Sequence, residues 1–169
     1  MFASLIVWWP IIMKIKMAKS ATEIWFYHLD RAPIEQVLPG LLSKTLAKGW
    51  CAQIRIPTDE RLEYFNSYLW TFRPDSFLPH GTDKDGPAEQ QPILLTSKQE
   101  NLNEADVLFL IDGADSSDLM SYKRCITLFD GQDDEALGHA RAFWKQSKAD
   151  GLDVIYWQQA SNGKWEQKA

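Results

Sequence analysis

The three histidines and two cysteines are the side chains best suited to metal or nucleophilic chemistry. His28, His80 and His139 have no Cys, His or acidic residue nearby at the spacing of a recognisable metal site. No G-x-S-x-G nucleophile motif accompanies His80, which lies in a proline-rich stretch. Cys51 and Cys125 fall in predicted strands, where thiols are usually buried and inert. These residues therefore predict neither a metal site nor an activated nucleophile.

The acidic residues give no stronger catalytic signal. Residues 106–112 form an apolar run that ends in Asp112, as in the second motif of nucleotide-binding proteins. The phosphate-binding loop G-x-x-x-x-G-K-[ST] that should accompany it does not occur in the chain. Asp133 and Asp134 fit the start of a helix, where carboxylates are favourable. We favour a non-catalytic protein; the alternative is a nucleotide-binding protein or another enzyme on a parallel sheet.

Aromatic residues and prolines are concentrated in one segment that has the composition of a protein-contact surface. The segment contains Trp70, Phe72, Arg73, Pro74, Phe77, Pro79 and His80. Proline restricts the preceding residue to extended geometry, so little entropy remains to be lost on binding. Trp, Phe and Arg are also enriched in interface cores. The alternative is a loop whose rings cap the sheet.

A second candidate contact lies on the last predicted helix. Arg141, Lys145 and Lys148 recur at helical spacing and form one basic stripe. Trp144 borders this stripe and is expected to be an exposed aromatic residue, and Phe143 belongs to the apolar face. Arginine can hold a carboxylate bidentately while an aromatic ring lines an apolar pocket. The pattern predicts a site for an acidic peptide with an apolar end group; single-stranded nucleic acid or a merely solvated cationic face are the alternatives.

The elements that must position these residues alternate between strand and helix. The pattern of apolar residues and the turn-forming residues between them predict six strands, at residues 23–28, 50–56, 92–96, 106–112, 125–129 and 152–157. Helices are predicted at residues 34–46, 58–70 and 133–149, with Thr58 as an N-cap. Pro39 should kink the first helix or mark its true start. This order predicts an α/β fold with a mainly parallel sheet and helices on both faces, Rossmann-like but without a nucleotide site.

Length and composition indicate one soluble domain. The chain has 169 residues, 45% of them hydrophobic, and a formal net charge of −5. Two cysteines exclude a disulfide scaffold and fit a reducing cytoplasm. The net acidity argues against a protein that coats nucleic acid by bulk charge. Of the eight tryptophans, we expect Trp25, Trp50 and Trp157 to belong to the core, because they fall in predicted strands.

The N-terminal segment stands apart from the predicted domain. Its apolar run, residues 1–13, is too short to span a membrane and is not preceded by basic residues. Met17 is a second possible start, so residues 1–16 are interpreted as the product of a misassigned start codon; an interfacial anchor or a contact segment is the alternative. The expected organisation is an extension at 1–20, a domain at 21–160 and a polar tail at 161–169. We expect no membrane partner.

Several of these residues together resemble the chi subunit family of bacterial DNA polymerase III, a clamp-loader accessory protein. The resemblance extends from about Ala21 to Trp157. It is carried by Phe26-Tyr27, Leu69-Trp70, the run Arg-Pro-Asp-Ser-Phe-Leu-Pro-His from Arg73 to His80, Asp112, and Ala140-Arg141-x-x-Trp144-Lys145. The most specific part is the segment from Trp70 to His80, which contains Arg73-Pro74 and Pro79-His80.

The resemblance implies a single α/β domain with no catalytic activity and no cofactor. It implies two partners in DNA replication. One is the psi subunit, which joins the protein to the clamp-loader complex. The other is the acidic, Phe-terminated C-terminal peptide of single-stranded-DNA-binding protein. DNA would then be contacted only indirectly.

The family's site residues map onto the two candidate contacts. By resemblance, the tail site contains Arg141, Trp144, Lys145 and Phe143. The family usually has Tyr or a similar residue at Trp144, which keeps the pocket aromatic. A basic residue that some members carry one turn earlier is Leu137 here, which weakens the electrostatic part of the site.

The psi interface of the family maps onto Trp70, Pro74 and Phe77. In some bacteria an alternative helicase uses the same surface. Other lineages lack a recognisable psi, so the tail peptide is the firmer of the two expected partners.

Overall fold

The structure, a computed structural model, describes residues 21–169. The expected N-terminal extension, with its misassigned start, lies outside the described residues. The described chain forms one eight-stranded sheet flanked by three α-helices. The predicted single α/β domain is confirmed.

Seven of the eight strands run parallel. The strands are β1 Glu23–Leu29, β2 Ala52–Arg55, β3 His80–Thr82, β4 Ile93–Thr96, β5 Val107–Leu110, β6 Arg124–Asp130, β7 Asp153–Gln159 and β8 Trp165–Gln167. Their order across the sheet is β3-β4-β2-β5-β6-β1-β7-β8. Every neighbouring pair is parallel except β7 and β8. Parallel strands are buried on both faces, which explains the near-continuous apolar sequences of β4 and β5.

The helices begin where the sequence supplies caps. They are α1 Ile34–Ala47, α2 Asp59–Thr71 and α3 Asp134–Ala149, with short 3-10 turns at Ala88–Gln90 and Leu119–Ser121. The Thr58 hydroxyl accepts a hydrogen bond from the Arg61 backbone at the start of α2, as predicted. The Asp133 carboxylate accepts from two backbone N–H groups at the start of α3. Pro39 lies inside α1 and does not mark its start.

The sheet has a separate hydrophobic core on each face. On one face, α1 and α2 bury residues such as Leu38 and Phe65. On the other face, α3 packs Ala140 against a cluster that includes Phe26 and Leu108. The prediction of helices on both faces is therefore confirmed. Full burial of one such large side chain contributes about 1.5–3 kcal/mol.

The C-terminal segment differs from the prediction. Residues 161–169, expected to be a polar tail, contain β8, which pairs with β7 in antiparallel register. Asn162 and Gly163 form the connecting turn, in which Gly163 has φ +79°. The Trp165 ring then contacts Tyr27 at a centroid distance of 4.9 Å. The polar composition of this segment reflects an exposed edge strand with one inward-facing aromatic side chain.

Candidate functional site

The second half of α3 presents the predicted basic stripe. The side chains of Arg141, Lys145 and Lys148 are all exposed. The ammonium nitrogen of Lys148 lies 5.1 Å from the centre of the Trp144 ring, which is a cation–π contact. The stripe therefore runs along the border of an aromatic side chain that remains partly accessible.

The aromatic residues of α3 are packed onto the sheet more closely than the sequence predicted. The Trp144 ring is half-buried, edge-on to Phe26 at 5.3 Å and to Tyr156 at 5.6 Å. Phe143 also lies 5.3 Å from Phe26. Trp144 was interpreted as an exposed residue. Strands β1 and β7 instead supply rings beneath it, which hold the indole in a fixed orientation.

A polar chain that the sequence analysis missed continues from Tyr156. Its hydroxyl lies 2.7 Å from Nδ1 of His28, and Nε2 of His28 lies 3.0 Å from a carboxylate oxygen of Asp30. Gln158 donates to the other oxygen of Asp30 at 2.8 Å. Burial first, and then the charge of Asp30, raise the pKa of Tyr156, whereas Arg141 opposes the rise. The hydrogen bond between the Tyr156 hydroxyl and the His28 ring thus fixes Tyr156 beside Trp144.

Gly131, directly after β6, makes room for this chain. A Cβ atom at this position would lie 1.8 Å from Nε2 of His28 and 2.8 Å from the Asp30 carboxylate. The imidazole therefore fits only because residue 131 has no side chain. His28 thus lies between two polar neighbours, the Tyr156 hydroxyl and the Asp30 carboxylate.

The second candidate surface lies at the end of α2 and in the loop that follows. Trp70 is 55% exposed and Phe77 is 65% exposed. Their rings contact each other at a centroid distance of 5.6 Å. Pro74, in the turn between them, is also exposed. The structure thus brings Trp70 and Phe77 together as an exposed apolar pair, of the kind that marks an interaction surface.

Arg73 and Asp75 fix the turn at Pro74. The guanidinium donates to both carboxylate oxygens, at 3.0 and 2.7 Å. Hydrogen bonding to Arg73 lowers the pKa of Asp75. Both side chains are well exposed, so this pair shapes the turn and contributes little to global stability.

His80 is a structural residue of the aromatic-proline segment. It is 7% exposed and forms the first position of β3. Its ring nitrogens lie 2.6 Å from the carbonyl oxygen of Leu78 and 3.0 Å from that of Asn66. The Trp70 ring packs on it at 4.7 Å. His80 therefore anchors the aromatic-proline segment to α2 and supports Trp70 from beneath.

A crevice of about 990 Å³ opens at the carboxyl ends of β1, β5 and β6. Here α1 leaves toward one face of the sheet and α3 toward the other, an arrangement that often marks a ligand site in α/β proteins. Its walls carry two arginines, Arg31 and Arg61, and Arg61 pairs with Asp112 at 2.6 Å. They also carry six carboxylates, from Asp30, Glu35, Asp112, Asp130, Asp133 and Glu135.

No local sequence motif marks this cluster of polar side chains, because the lining residues are far apart in the chain. The excess of carboxylates disfavours the phosphates of a nucleotide. The crevice therefore gives no support to the alternative that the protein binds a nucleotide.

Residues 21–169 contain neither a candidate metal-binding cluster nor a candidate membrane-spanning helix. That range holds no group of three His, Cys, Asp or Glu side chains arranged to bind a metal ion. It also has no helix with the length and apolar character needed to cross a membrane. Cys125 is buried, and burial raises the pKa of its thiol to about 12, so it stays protonated.

Comparison with known proteins decides the family. The family model described as "DNA polymerase III chi subunit, HolC" matches residues 21–155. The chain belongs to this chi subunit family. The matched range includes the exposed pair Trp70 and Phe77 and the basic stripe of α3. A role accessory to DNA replication follows from membership in this family of polymerase III subunits.

One relative extends the comparison to a named protein. The chain is 28% identical over 103 residues to the "Probable DNA polymerase III subunit chi" of Rickettsia prowazekii (strain Madrid E). The alignment covers 61% of this chain and 62% of that relative. The chain is thus aligned with somewhat less than two thirds of the relative's length.

Proposed function

We propose that this chi-family protein is a non-catalytic, cytoplasmic accessory subunit of bacterial DNA polymerase III. It would join the clamp-loader complex, through the psi subunit, to the C-terminal peptide of single-stranded-DNA-binding protein. The observation that supports this most is the basic stripe of α3 beside Trp144. DNA would be reached through the protein that coats it, which is compatible with a net charge of −5.

The α3 surface fits an acidic peptide that ends in phenylalanine. Arg141 and Lys145 are exposed and can pair with the terminal carboxylate and the acidic residues before it. The half-buried Trp144, held by Phe26 and Tyr156, offers a rigid edge for the terminal ring. A single contact of this size is weak. Several tails on one tetramer would strengthen it by avidity.

The exposed pair Trp70 and Phe77 fits the psi subunit. Large aromatic side chains at the centre of an interface contribute most of its binding energy once water is excluded. Both rings are more than half exposed, yet His80 beneath Trp70 and the Arg73–Asp75 pair keep the segment in place. A helicase that used the same rings would compete with psi for this surface.

The tail contact is tested by titrating an acidic, Phe-terminated peptide into the Arg141→Ala variant in a calorimeter. We expect affinity to fall by about tenfold or more, because a charge-assisted hydrogen bond is lost. Arg73→Ala is the matched control, since Arg73 is an exposed arginine on the other surface. Equal affinity for wild type and Arg141→Ala would refute the tail assignment.

The psi contact is tested by co-purification with the Phe77→Ala variant. We expect psi to be lost while binding of the acidic peptide is retained. Tyr64→Ala is the control, because Tyr64 is another exposed aromatic residue of α2 whose ring contacts Phe65 and Tyr68. If psi binding, peptide binding and thermal stability all fall together, Phe77 supports the fold and the assignment is wrong.

A further inference from the structure

The basic stripe lies on the side of α3 that is nearest the C-terminal strand β8. Trp144, which borders the stripe, is edge-on to Tyr156 of β7 at a centroid distance of 5.6 Å. His139 and Phe143 belong to the other side of the helix and line the crevice at the strand ends. Since α3 packs on β6 and β7, and β8 follows β7 at the edge of the sheet, the stripe borders β8.

Two charged residues of the C-terminal segment share the sheet face on which α3 packs. The backbone N–H of Lys168, directly after β8, donates to the carbonyl oxygen of Tyr156 at 2.8 Å, and Glu166 lies opposite Gln158. Opposite residues of antiparallel strands have their side chains on the same face. The Lys168 ammonium also lies 2.7 Å from the Glu166 carboxylate, which places both side chains together. Lys168 is therefore one strand away from the ring that supports Trp144.

The Lys168 ammonium is accessible to an acidic partner. The side chains of Lys168 and Glu166 are 49% and 50% exposed, so α3 does not cover them. An ion pair with this exposure is weak, and a carboxylate from a partner can replace Glu166 at little cost. The open face of β8 thus offers one cation, accompanied by one carboxylate that repels an acidic ligand.

An acidic peptide in extended conformation has carboxylates on both of its sides. Successive side chains of an extended chain point in opposite directions, so the helix stripe can pair with only every second residue. The remaining carboxylates point away from α3. Because β8 extends past the helix at the edge of the sheet, a peptide that lies along α3 has β8 on its other side.

We propose that β8 forms the second side of the α3 peptide site and that Lys168 pairs with an acidic residue of the bound peptide. This inference rests on the tail contact proposed above. Arg141 and Lys145 would pair with the carboxylates that face the helix, and Lys168 with a carboxylate that faces the strand. Glu166 limits the affinity, because it competes for Lys168 and repels the peptide.

The inference is tested by calorimetric titration with a synthetic peptide in which several aspartates precede a terminal phenylalanine. Lys168→Gln should weaken binding by about threefold, which is typical for the loss of one exposed charge pair. Glu166→Gln should strengthen binding by about twofold, because it removes a repelling charge and releases Lys168. Lys44→Gln is the matched control, since Lys44 is an exposed lysine of α1 on the opposite face of the sheet, and this variant should bind like wild type.

The opposite signs of the two effects distinguish a direct contact from a structural one. Both variants break the pair between Lys168 and Glu166, so an effect that acted through folding of the hairpin would change the affinity in the same direction in both. The inference is overturned if Lys168→Gln binds as wild type does, or if Glu166→Gln weakens binding as well. In either case, a loss of affinity in Arg141→Ala would leave the tail assignment standing; if Arg141→Ala also bound like wild type, both proposals would be wrong.

Discussion

The surfaces of α3 and of α2 with its following loop both present tryptophan, but in opposite ways. Trp144 of α3 is half-buried on Phe26 and Tyr156 and is bordered by exposed cations. Trp70 of α2 is 55% exposed and its neighbour Phe77 is 65% exposed. In the first surface the ring is already held in place by its neighbours, and the exposed cations would provide most of the attraction to a partner. In the second the rings themselves are the apolar area that a partner must cover.

The largest expected effect is the destabilisation caused by Phe26→Ala. Phe26 is fully buried and touches both Phe143 and Trp144, so its removal leaves a cavity under α3. We expect the free energy of unfolding to fall by about 3–5 kcal/mol. Denaturation by urea, followed by circular dichroism, measures this change.

The matched variant on the other surface is Phe77→Ala. Because Phe77 is 65% exposed, the same chemical change should alter stability by no more than about 0.5 kcal/mol. If Phe26→Ala and Phe77→Ala lowered the free energy of unfolding by similar amounts, Phe77 would support the fold as Phe26 does, and the distinction between the two surfaces would be wrong.

Salt should weaken binding at the α3 surface more than at the α2 surface, and we expect this difference to be smaller than the difference in stability. Raising salt from about 0.1 M to about 1 M shortens the screening length from roughly 10 Å to roughly 3 Å. Affinity for the acidic peptide should fall by about tenfold because Arg141 and Lys145 are exposed. Psi association through Trp70 and Phe77 should change by less than about twofold, since apolar burial is not screened. Calorimetric titrations at both salt concentrations check this, and parallel losses would contradict it.

The smallest expected effect concerns acid stability near the α2 surface. Asp85 accepts hydrogen bonds from the backbone and hydroxyl of Thr82, and these lower the pKa of its carboxyl. The charged carboxyl therefore stabilises the fold near neutral pH, and this contribution is lost as pH falls below about 4. Asp85→Asn should reduce the urea midpoint at neutral pH and narrow the difference between neutral and acidic midpoints. A variant with an unaltered difference would show that this turn does not support β3.

The sequence predicts those parts of the fold whose signals are local. Thr58 and Asp133 begin helices as caps, and the apolar runs of β4 and β5 are typical of strands buried on both faces. β3 could not be predicted because a strand of three residues is too short to show alternating hydrophobicity. It is defined only by its pairing with β4. β8 was missed although Asn162 and Gly163 are a hairpin signal, because a single inward ring is too little pattern to define a strand.

The candidate sites were predictable only as far as helical spacing reaches. The stripe from Arg141 to Lys148 could be predicted because all of its residues lie on one helix. The burial of Trp144 could not, because it depends on Phe26 in β1 and Tyr156 in β7. Arg55 illustrates the same limit. A charged residue in β2 is 1% exposed because its guanidinium donates to carbonyl oxygens of two separate loops. Contacts of this kind join distant segments and leave no local pattern.

The position of β1 in the sheet has a consequence for synthesis of the chain. β1 is made first among the described strands, yet its two neighbours are β6 and β7. The ion pair that joins β1 to β6 links residues 101 positions apart. While the chain grows on the ribosome, Phe26 and Tyr27 therefore remain without their strand partners until nearly the whole domain has emerged. A nascent chain that stalls midway exposes an aromatic strand with two open edges, which is a substrate for chaperones and a hazard for aggregation.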